Sequence, residues 1–529
     1  MERTQVVIVG SGFAGALLAR LLASQGLAVT LIERGRHPRF AIGESSTPLA
    51  SLCLERLADH YGQPDLRHLA AHGRWLEHLP GLRRGLKRGF TFYRHHPGRD
   101  YANDEANGAR LLVAASPTDY VADSHWLRED VDQHFVRQAE AAGALYRDRT
   151  RVTAIAISGR GVRLRTEREG AIREVRAEML VDATGPGGLL RRALPIPSQL
   201  KRTATRSLLL FSHFTGARLF AEVAREAGAA LPAGPYPEDW AAVHHVLDEG
   251  WMYVLRFDDG VVSAGLLATP TGARRFSLAK GDSAGSWQAL LARYPSLAAQ
   301  FQDARPSFPV RFAGRVQHRL ARATGERWVA LPHTFAFVDP LFSTGIAWSL
   351  LAVERLAEAF GNARGGPRGV PSVTALRRYE ALLAGEADQI DRVVAAAYLA
   401  LPDFGLFAAQ TMLYFAVVSF AEARQRLVAG SGWEAFLGAG EPDVVSVYRE
   451  SVRRLARLTG RGRHPASAGD RQEYVGWVAR AIAPWNVAGL ADPRRRNLYP
   501  VDLDVLVDRS HLLGLTPSGV RRALPRLRR

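Results

Sequence analysis

The segment FVDPLFSTGI (337–346) contains residue types that could do chemistry at a helix end. Asp339 and Pro340 signal a turn, three small residues follow at 343–345, and an apolar run comes next. This order predicts a turn that feeds a helix whose first backbone N–H groups have no partner inside the helix. Because these N–H groups sit at the positive end of the helix dipole, they favour an anion or a polar ligand edge.

Lys87 is a second candidate, because lysine is rare in this chain. The sequence holds 3 lysines against 66 arginines, a bias that reflects genome composition more than function. Unlike a guanidinium, a buried amine can lose its proton and react. The alternative is a surface lysine whose aliphatic stem covers apolar neighbours, since Arg83, Arg84 and Arg88 lie close by.

The N-terminal stretch VVIVGSGFAGALLARLLASQGLAVTLIER predicts a dinucleotide-binding βαβ unit. A strand at 6–9 leads into a glycine loop, and a helix then runs to about Ser24. In such loops Gly10 permits the tight turn, Gly12 lets a pyrophosphate approach the backbone, and Gly15 allows close packing of the helix on the strand. The helix N-terminus then stabilises the phosphate charge.

A second strand, at 28–32, ends at Glu33, 23 residues after Gly10. An acid at this place accepts a hydrogen bond from a ribose hydroxyl. We also include Phe13, Ala14 and Arg34 among the predicted nucleotide contacts.

Further motifs extend the site along the chain. They are Ile42-Gly43-Glu44-Ser45-Ser46-Thr47-Pro48 after the βαβ unit, Val181-Asp182-Ala183-Thr184-Gly185, and the spacing F-x-x-P-x-x-S-x-G at Phe337, Pro340, Ser343 and Gly345. On these residues the chain resembles the flavin-dependent halogenases, a branch of the aromatic-hydroxylase-type FAD monooxygenases. The resemblance implies FAD as the cofactor, with further contacts from Gly43, Glu44, Ser45, Asp182, Gly185, Asp339, Pro340, Gly345 and Ile346.

The resemblance also implies a reaction. Chloride or bromide would bind at Ser343, Thr344 and Gly345 and be oxidised beside the flavin to hypohalous acid. Lys87, in LKRGFTF (86–92), would receive or polarise that acid. The alternative for the helix mouth is an ordinary capped helix on the pyrimidine side of a flavin, with no halide chemistry.

The chain departs from the family pattern at the predicted substrate pocket, which we assign to Trp251, Tyr253 and Phe342. The family segment W-x-W-x-I-P is here Trp251-Met252-Tyr253-Val254-Leu255-Arg256, a stretch that also fits a β-hairpin around Asp258-Asp259-Gly260. Phe342 stands where tryptophan halogenases carry a glutamate, which favours an electron-rich phenol or pyrrole over tryptophan as the substrate. Hydroxylases of this type usually have a flavin-binding Asp upstream of the helix. The corresponding stretch of this chain lacks that Asp and contains His333, which we interpret as structural rather than as a base.

The predicted fold is α/β: a Rossmann-like FAD-binding domain at 1–195, continued by 310–370. A β-rich insertion at 196–309 is expected to form the substrate pocket, and 371–529 is expected to be helical. We also expect one amphipathic helix over 123–146 and a strand over 152–157. The apolar run at 404–420 is interpreted as a buried or pocket-lining helix rather than as a membrane span.

The composition and net charge of the chain limit which metals and binding partners are expected. One cysteine, Cys53, leaves no Cys-cluster metal site, and no metal is expected. The net charge is +17, yet no nucleic-acid recognition motif accompanies it. The arginine-rich end SGVRRALPRLRR is either a frayed terminus or a docking surface for an acidic partner. The first residues show no signal-peptide pattern, so we expect a cytoplasmic location and no stable membrane insertion.

The predicted function is FADH2- and O2-dependent halogenation of an electron-rich aromatic ring, free or bound to a carrier protein. A second GxGxxG for a nicotinamide cofactor is missing, which favours reduced flavin delivered by a separate reductase. The first alternative is an aromatic hydroxylase on the same scaffold, indifferent to Lys87. The second is a flavin-binding protein that docks an acidic partner.

Overall fold

The computed structural model describes residues 2–363, 369–428, 430, 432–460 and 466–527. Its strands are β1 (Glu2–Val9), β2 (Val29–Ile32), β3 (Arg84–Lys87), β4 (Gly89–Arg94), β5 (Arg110–Ala114), β6 (Asp123–Trp126), β7 (Leu145–Arg147), β8 (Arg151–Ser158), β9 (Gly161–Arg168), β10 (Ala171–Asp182), β11 (Leu208–Thr215), β12 (Ala242–Leu247), β13 (Gly250–Arg256), β14 (Val261–Ala268), β15 (Arg305–Pro306), β16 (Arg311–Arg315), β17 (His318–Arg319), β18 (Thr324–Gly325), β19 (Trp328–Ala330), β20 (Ala336–Phe337) and β21 (Leu498–Tyr499).

The α-helices are α1 (Phe13–Ser24), α2 (Pro48–His60), α3 (His72–His78), α4 (Arg128–Ala141), α5 (Leu189–Ala193), α6 (Phe220–Glu226), α7 (Pro270–Arg275), α8 (Ser283–Arg293), α9 (Pro295–Gln300), α10 (Pro332–Phe335), α11 (Thr344–Asn362), α12 (Val373–Ala400), α13 (Phe404–Leu427), α14 (Pro442–Leu458), α15 (Ala468–Ala481), α16 (Leu503–Asp508) and α17 (Pro517–Leu527).

The first sheet carries the glycine loop at the end of its central strand. Its order is β18-β19-β10-β1-β2-β7, with β9 joined to β10 and β8 joined to β9. β1 lies between β10 and β2 and is parallel to both. Residues 6–9 are buried, which explains their unbroken apolar run, since a parallel strand is covered on both faces. This architecture confirms the predicted α/β class.

Two glycines set how closely α1 packs on this sheet. Gly10 has φ +107°, a left-handed conformation that favours glycine. A Cβ at Gly15 would lie 2.1 Å from the carbonyl oxygen of Gly10 and 2.9 Å from Cβ of Ala183. The close helix–strand packing expected at Gly15 is therefore present.

The second sheet has nine strands in the order β15-β11-β14-β13-β12-β4-β5-β21, with β16 also paired to β11. β13 and β14 form the antiparallel hairpin predicted around Asp258-Asp259-Gly260. The sheet extends beyond 196–309, because β4, β5 and β21 belong to it as well. The division of the chain into domains stays a prediction.

The segment 123–146 is not one helix, as we had predicted. Its first residues form β6, which pairs antiparallel with β3, and α4 begins only at Arg128. The four β6 residues are buried, and pairing with β3 satisfies their backbone groups better than a solvent-facing helical turn would. One consequence is chemical: Lys87 and Asp123 become register partners.

The C-terminal third is helical, as predicted. α13 is the one described helix that is long and apolar enough to cross a membrane, and 83% of its most apolar stretch is buried inside the protein. This burial agrees with the interpretation of 404–420 as a core helix that lines a pocket.

Candidate functional site

Two guanidinium groups face the glycine loop. A Cβ at Gly12 would lie 3.4 Å from Nη2 of Arg128 and 3.8 Å from Nη2 of Arg39. The Arg128 guanidinium also donates to the carbonyl oxygens of Ile42 and Gly43, at 3.0 and 3.3 Å. Arg128 thus ties the loop to the following segment and presents positive charge where a pyrophosphate would approach the backbone.

Glu33 is buried at the end of β2, as the ribose-binding role requires. Its Oε2 accepts from the backbone N–H and the hydroxyl of Ser11, at 3.2 and 3.1 Å. Burial raises the pKa of this carboxyl, but Arg39 and hydrogen bonds from Gly35 and Ser11 outweigh that effect and lower it. Glu33 is therefore an ionised acceptor.

Sequence reasoning missed Arg39, Arg128 and Asp132. Asp132 is fully buried and accepts from the N–H of Phe13 at 2.9 Å, so this amide at the start of α1 has a side-chain partner. Arg34, by contrast, is exposed. The signal for Arg128 and Asp132 was their place in the predicted helix 123–146, and a helical period assigns such charged residues to solvent.

A cavity of about 500 Å³ continues from this loop between the two sheets. We call it the larger cavity. We call the segment Ile42–Pro48 the strap. The larger cavity is lined by strap residues 42–45, by Pro186 and Arg191, by Leu209, Phe211, His244, Trp251, Tyr253, Leu255 and Leu267, and by His333, Asp339, Pro340, Ser343, Thr344, Gly345 and Ile346. Its volume and its mostly apolar walls with a few polar groups fit a flavin ring, so the residues present fit FAD along the whole path from Glu33.

The helix mouth opens into the larger cavity, as predicted. Ser343 has φ +53°, and its N–H donates to the carbonyl oxygen of Pro340 at 2.9 Å. Among the described residues no side chain caps α11, so the N–H groups of Thr344 and Gly345 remain available to a ligand. The imidazole of His333 lies against Gly345, 3.1 Å from where a Cβ on that glycine would be.

Three residues that were predicted to contact the flavin make hydrogen bonds that connect neighbouring segments of the site. Asp182 accepts from the N–H groups of Thr184 and Leu190, at 2.9 and 2.8 Å. The N–H of Gly185 donates to the hydroxyl of Thr334 at 3.0 Å. Asp339 accepts from the hydroxyls of Ser207 and Tyr398, at 2.6 and 2.8 Å, and burial raises its pKa to about 6.

The strap joins the larger cavity to the rest of the site. Gly43 has φ +91°, and Ser45 forms a β-bridge with His125. Glu44 is buried and its Oε1 lies 3.1 Å from Nε2 of His213. Burial lowers the pKa of His213, but the neighbouring Glu44 outweighs this effect and raises it, which favours the protonated imidazole.

The predicted substrate-pocket residues divide between two places. Trp251 and Tyr253 line the larger cavity. Phe342 is fully buried and stacks on Tyr414, with ring centroids 4.3 Å apart. Tyr414 belongs to a second cavity, of about 300 Å³, which we call the smaller cavity.

The wall of the smaller cavity is formed by the C-terminal helices together with residues of the second sheet. Its walls include the aromatic residues Phe90, Tyr414, Phe415, Phe436 and Tyr499, and the polar residues Thr47, Ser51, Glu55, Asp123, Glu422 and Arg426. Aromatic walls of this kind suit a flat ring.

Lys87 is fully buried and lines neither cavity itself, but it contacts one residue beside the larger cavity and one in the wall of the smaller cavity. Its ammonium donates to the carbonyl oxygen of Ser46 at 2.5 Å and lies 4.1 Å from the centroid of the Phe90 ring. Ser45, beside that carbonyl, lines the larger cavity, whereas Phe90 lines the smaller one. The surface-lysine alternative is therefore wrong, because the side chain is fully buried.

Asp123 faces Lys87 across the β3–β6 pair. Burial lowers the pKa of Lys87 to about 7, although Asp123 opposes this shift. Burial likewise raises the pKa of Asp123 to about 7, and Lys87 opposes that shift. Burial lowers the pKa of the neighbouring imidazoles of His125 and His244 to about 3, so both are neutral.

This pair predicts a minimum in its contribution to stability near pH 7. From pH 3.8, the ordinary pKa of an aspartate, to about 7, the folded state keeps a proton on Asp123 that the unfolded chain has lost, so stability falls as pH rises. From about 7 to 10.5 the unfolded chain keeps a proton that Lys87 has lost, so stability rises again.

We therefore expect the double variant Lys87→Met/Asp123→Asn to gain most in unfolding temperature over wild type near pH 7, and less near pH 4.5 and pH 9.5. Thermal scans at the three pH values measure the difference, in which the other titrating groups cancel. A difference that does not vary with pH would contradict the assigned shifts.

Taken together, the glycine loop, the flavin-sized cavity and the uncapped helix mouth define an FAD-binding oxidoreductase of the α/β class. The FAD dependent oxidoreductase family matches residues 5–325, more than half of the chain. The chain belongs to this family, and FAD is its cofactor.

Its relatives within the family are halogenases. Monodechloroaminopyrrolnitrin halogenase of Pseudomonas fluorescens is 29% identical over 362 residues, and tetracycline 7-halogenase of Kitasatospora aureofaciens is 28% identical over 365. Each alignment covers 66% of this chain, but only 60% and 64% of the length of these relatives. The resemblance to flavin-dependent halogenases is thereby confirmed.

A solved structure shares the fold over nearly the whole chain. It is that of the halogenase PltM in complex with phloroglucinol and FAD, with a TM-score of 0.82 and 23% identity. The match covers 94% of this chain and 99% of PltM, so the C-terminal helices belong to the shared fold.

Proposed function

We propose that this chain is a flavin-dependent halogenase whose substrate is an electron-rich aromatic molecule bound in the smaller cavity. The observation that carries this proposal is the buried position of Lys87, which contacts one residue beside the larger cavity and one in the wall of the smaller cavity. A buried amine at this place has little structural reason to exist, because an uncharged side chain would fill the space at lower cost. Its value must then be chemical.

The residues of the chain have distinct roles in this proposal. The N–H groups of Thr344 and Gly345 bind chloride or bromide. Bound FAD, once reduced, supplies with O2 the two-electron oxidation of the halide to hypohalous acid. Lys87 binds the oxygen of this acid through its ammonium and directs the halogen toward the smaller cavity. Ser46 and Phe90 fix the ammonium in place.

The substrate class follows from the walls of the smaller cavity. Phe342 supplies no carboxylate where tryptophan halogenases have a glutamate, which favours a ring that itself stabilises the cationic intermediate of electrophilic substitution. Phenols and pyrroles have that property. The solved structure of PltM contains phloroglucinol, a phenol, and one relative is named as a brominase of pyrrole-2-carbonyl bound to a peptidyl carrier protein. The candidate substrates are thus phenols and pyrroles, either free or bound to a carrier protein.

Two partners complete the proposal. Reduced flavin comes from a separate reductase, in keeping with a single glycine-loop motif in the sequence. A carrier protein, which is acidic, would be attracted by the net charge of +17. The tail predicted to dock such a partner lies partly outside the described residues. If deleting residues 521–529 leaves carrier affinity and its salt dependence unchanged, the tail has no part in docking.

The proposed function is tested by incubating the protein with FAD, a flavin reductase, NADH, bromide and a panel of phenols and pyrroles. We expect products with the mass of an added bromine, and anomalous density beside Thr344 and Gly345 in crystals soaked in bromide. Products that carry only an added oxygen, at a rate independent of halide, would refute halogenation.

That second outcome is the hydroxylase alternative, which rested on the Leu255-Arg256 departure. Leu255 lines the larger cavity, whereas the Arg256 guanidinium turns away and donates to the carbonyl oxygens of Ala217 and Arg218. The departure thus adds no charge to the larger cavity and gives hydroxylation no specific support.

A further inference from the structure

Asp123 is a buried carboxyl group with an unused oxygen. The residue is 4% exposed, and its Oδ1 accepts from the hydroxyl of Ser51 at 3.1 Å. Its Oδ2 is buried and has no hydrogen-bond partner in the part of the chain that the structure describes. Because an unpaired buried carboxyl oxygen costs free energy, a ligand or a reaction is the expected reason for its presence.

The position of Asp123 points to a reaction with the aromatic ring. Asp123 lines the smaller cavity together with Phe90, Tyr414 and Phe415, and its backbone is in register with Lys87. One residue therefore adjoins both the space for the ring and the group that holds the hypohalous acid.

The other titratable groups around Asp123 do not replace it. Those packed against the pair are His125 of β6, His244 of β12, and Tyr414, Glu422 and Arg426 of α13. The two imidazoles have low pKa values. One ring nitrogen of each is hydrogen-bonded to a backbone carbonyl oxygen, at 3.2 Å for His125 and 2.9 Å for His244. Glu422 is ion-paired with Arg426 at 2.8 Å. Nδ1 of His125 also lacks a partner among the described residues, but His125 does not line the smaller cavity. Asp123 is the carboxyl group in that wall with a buried, unengaged oxygen.

We propose that Asp123 takes the proton that the aromatic ring loses on halogenation and returns it to Lys87. This inference rests on the proposed function and names the base in that reaction. Its role is catalytic, because Asp123 borders the cavity that holds the reacting ring.

The step balances as follows. The ring attacks the halogen of hypohalous acid, a carbon–halogen bond forms, and the oxygen–halogen bond breaks. Lys87 gives its proton to the departing hydroxide, which becomes water. Asp123 takes the proton from the ring carbon and restores aromaticity. One proton then moves from Asp123 to Lys87 through the water molecule just formed, so the pair ends as it began and the net change is ring-H plus hypohalous acid to ring-halide plus water.

The return of the proton costs little free energy. Burial brings the pKa of the carboxyl and the pKa of the amine to similar values, so either group can hold the proton. A carboxylate and an ammonium with ordinary pKa values would favour the ammonium by several orders of magnitude, and the neutral pair would not form.

The test compares wild type, Asp123→Asn and Asp123→Glu with FAD, reductase and bromide, on resorcinol, phloroglucinol and ring-deuterated resorcinol. We expect Asp123→Asn to brominate about 100-fold more slowly and to show a primary isotope effect, because ring deprotonation becomes rate-limiting. Halide oxidation, followed with the external trap monochlorodimedone, should persist, and Asp123→Glu should recover part of the rate. The control is Asp303→Asn, an exposed carboxylate that lines neither cavity.

A second readout needs neither flavin nor turnover. Lysine-labelled NMR titration of the flavin-free protein resolves only three lysines, and we expect Asp123→Asn to lower the pKa of Lys87, since Asp123 raises it. An unchanged bromination rate without an isotope effect would overturn the proposal and leave the proposed function standing. Loss of halide oxidation together with bromination would also overturn it, as a structural effect. Wild-type protein that brominates neither phenol would instead refute the proposed function on which the inference rests.

Discussion

Lys87→Met is expected to lower halogenation by about 10²- to 10⁴-fold, the range for loss of a positioned proton donor, without loss of FAD binding. The methionine side chain is unbranched, only one atom shorter than that of lysine, and suits a fully buried site, so the fold should persist. The variant keeps both cavities but has no group that binds hypohalous acid. The measurements are the rate of product formation and the titration of FAD.

The chain supplies its own controls for this variant. Lys201 and Lys280 are the other two lysines, and both are exposed, whereas Lys87 is fully buried. Lys201→Met and Lys280→Met should therefore leave the rate unchanged. If Lys87→Met forms product at the wild-type rate, the amine has no chemical role. That result would favour the hydroxylase alternative over the halogenase.

The parts of the site that sequence alone predicted are local. The glycine loop, Glu33, the strap and the mouth of α11 each lie within about ten consecutive residues, so short-range turn and capping rules determine them. The halogenase resemblance added the assignment of Lys87, which residue type and spacing had only made a candidate.

The parts that sequence alone did not predict come from residues far apart in the chain. The smaller cavity unites Thr47, Asp123, Tyr414 and Tyr499, and no periodic pattern relates such positions. The interpretation of 123–146 as one helix concealed Asp123, because a strand of four residues is too short to show its own period. The predicted substrate-pocket residues Trp251 and Tyr253 lie in the second sheet, whereas the C-terminal helices form much of the wall of the smaller cavity.

The charged residues near the glycine loop illustrate the same limit. Arg128 and Asp132 are four residues apart on α4 and form an ion pair at 2.8 Å. On sequence evidence such a pair is an ordinary exposed helix contact. Only the packing of α4 against α1 turns it inward, toward Gly12 and Phe13.

Gly15→Ala is expected to abolish FAD binding and to lower the free energy of unfolding by at least about 3 kcal/mol, the upper part of the range for overpacking a core. A Cβ at this position would lie 2.1 Å from the backbone oxygen of Gly10, which is fixed between β1 and α1. Because the added Cβ is fixed to the helix backbone and the oxygen belongs to the backbone of Gly10, the clash can be relieved only if α1 moves away from the sheet. The movement takes the helix N-terminus away from the pyrophosphate. The measurements are FAD titration by fluorescence and denaturant unfolding of the apoprotein.

Gly385→Ala is the matched control, because Gly385 also lies inside a helix, α12, but nothing lies within 4 Å of where its Cβ would be. Alanine lowers the backbone entropy of the unfolded chain there without a clash, so this variant should gain about 0.5–1 kcal/mol and bind FAD normally. The two variants make the same chemical change with opposite expected signs, and the sign depends only on the distance to the neighbouring backbone. Should Gly15→Ala bind FAD as wild type does, the close approach of α1 to β1 would not be what places the cofactor.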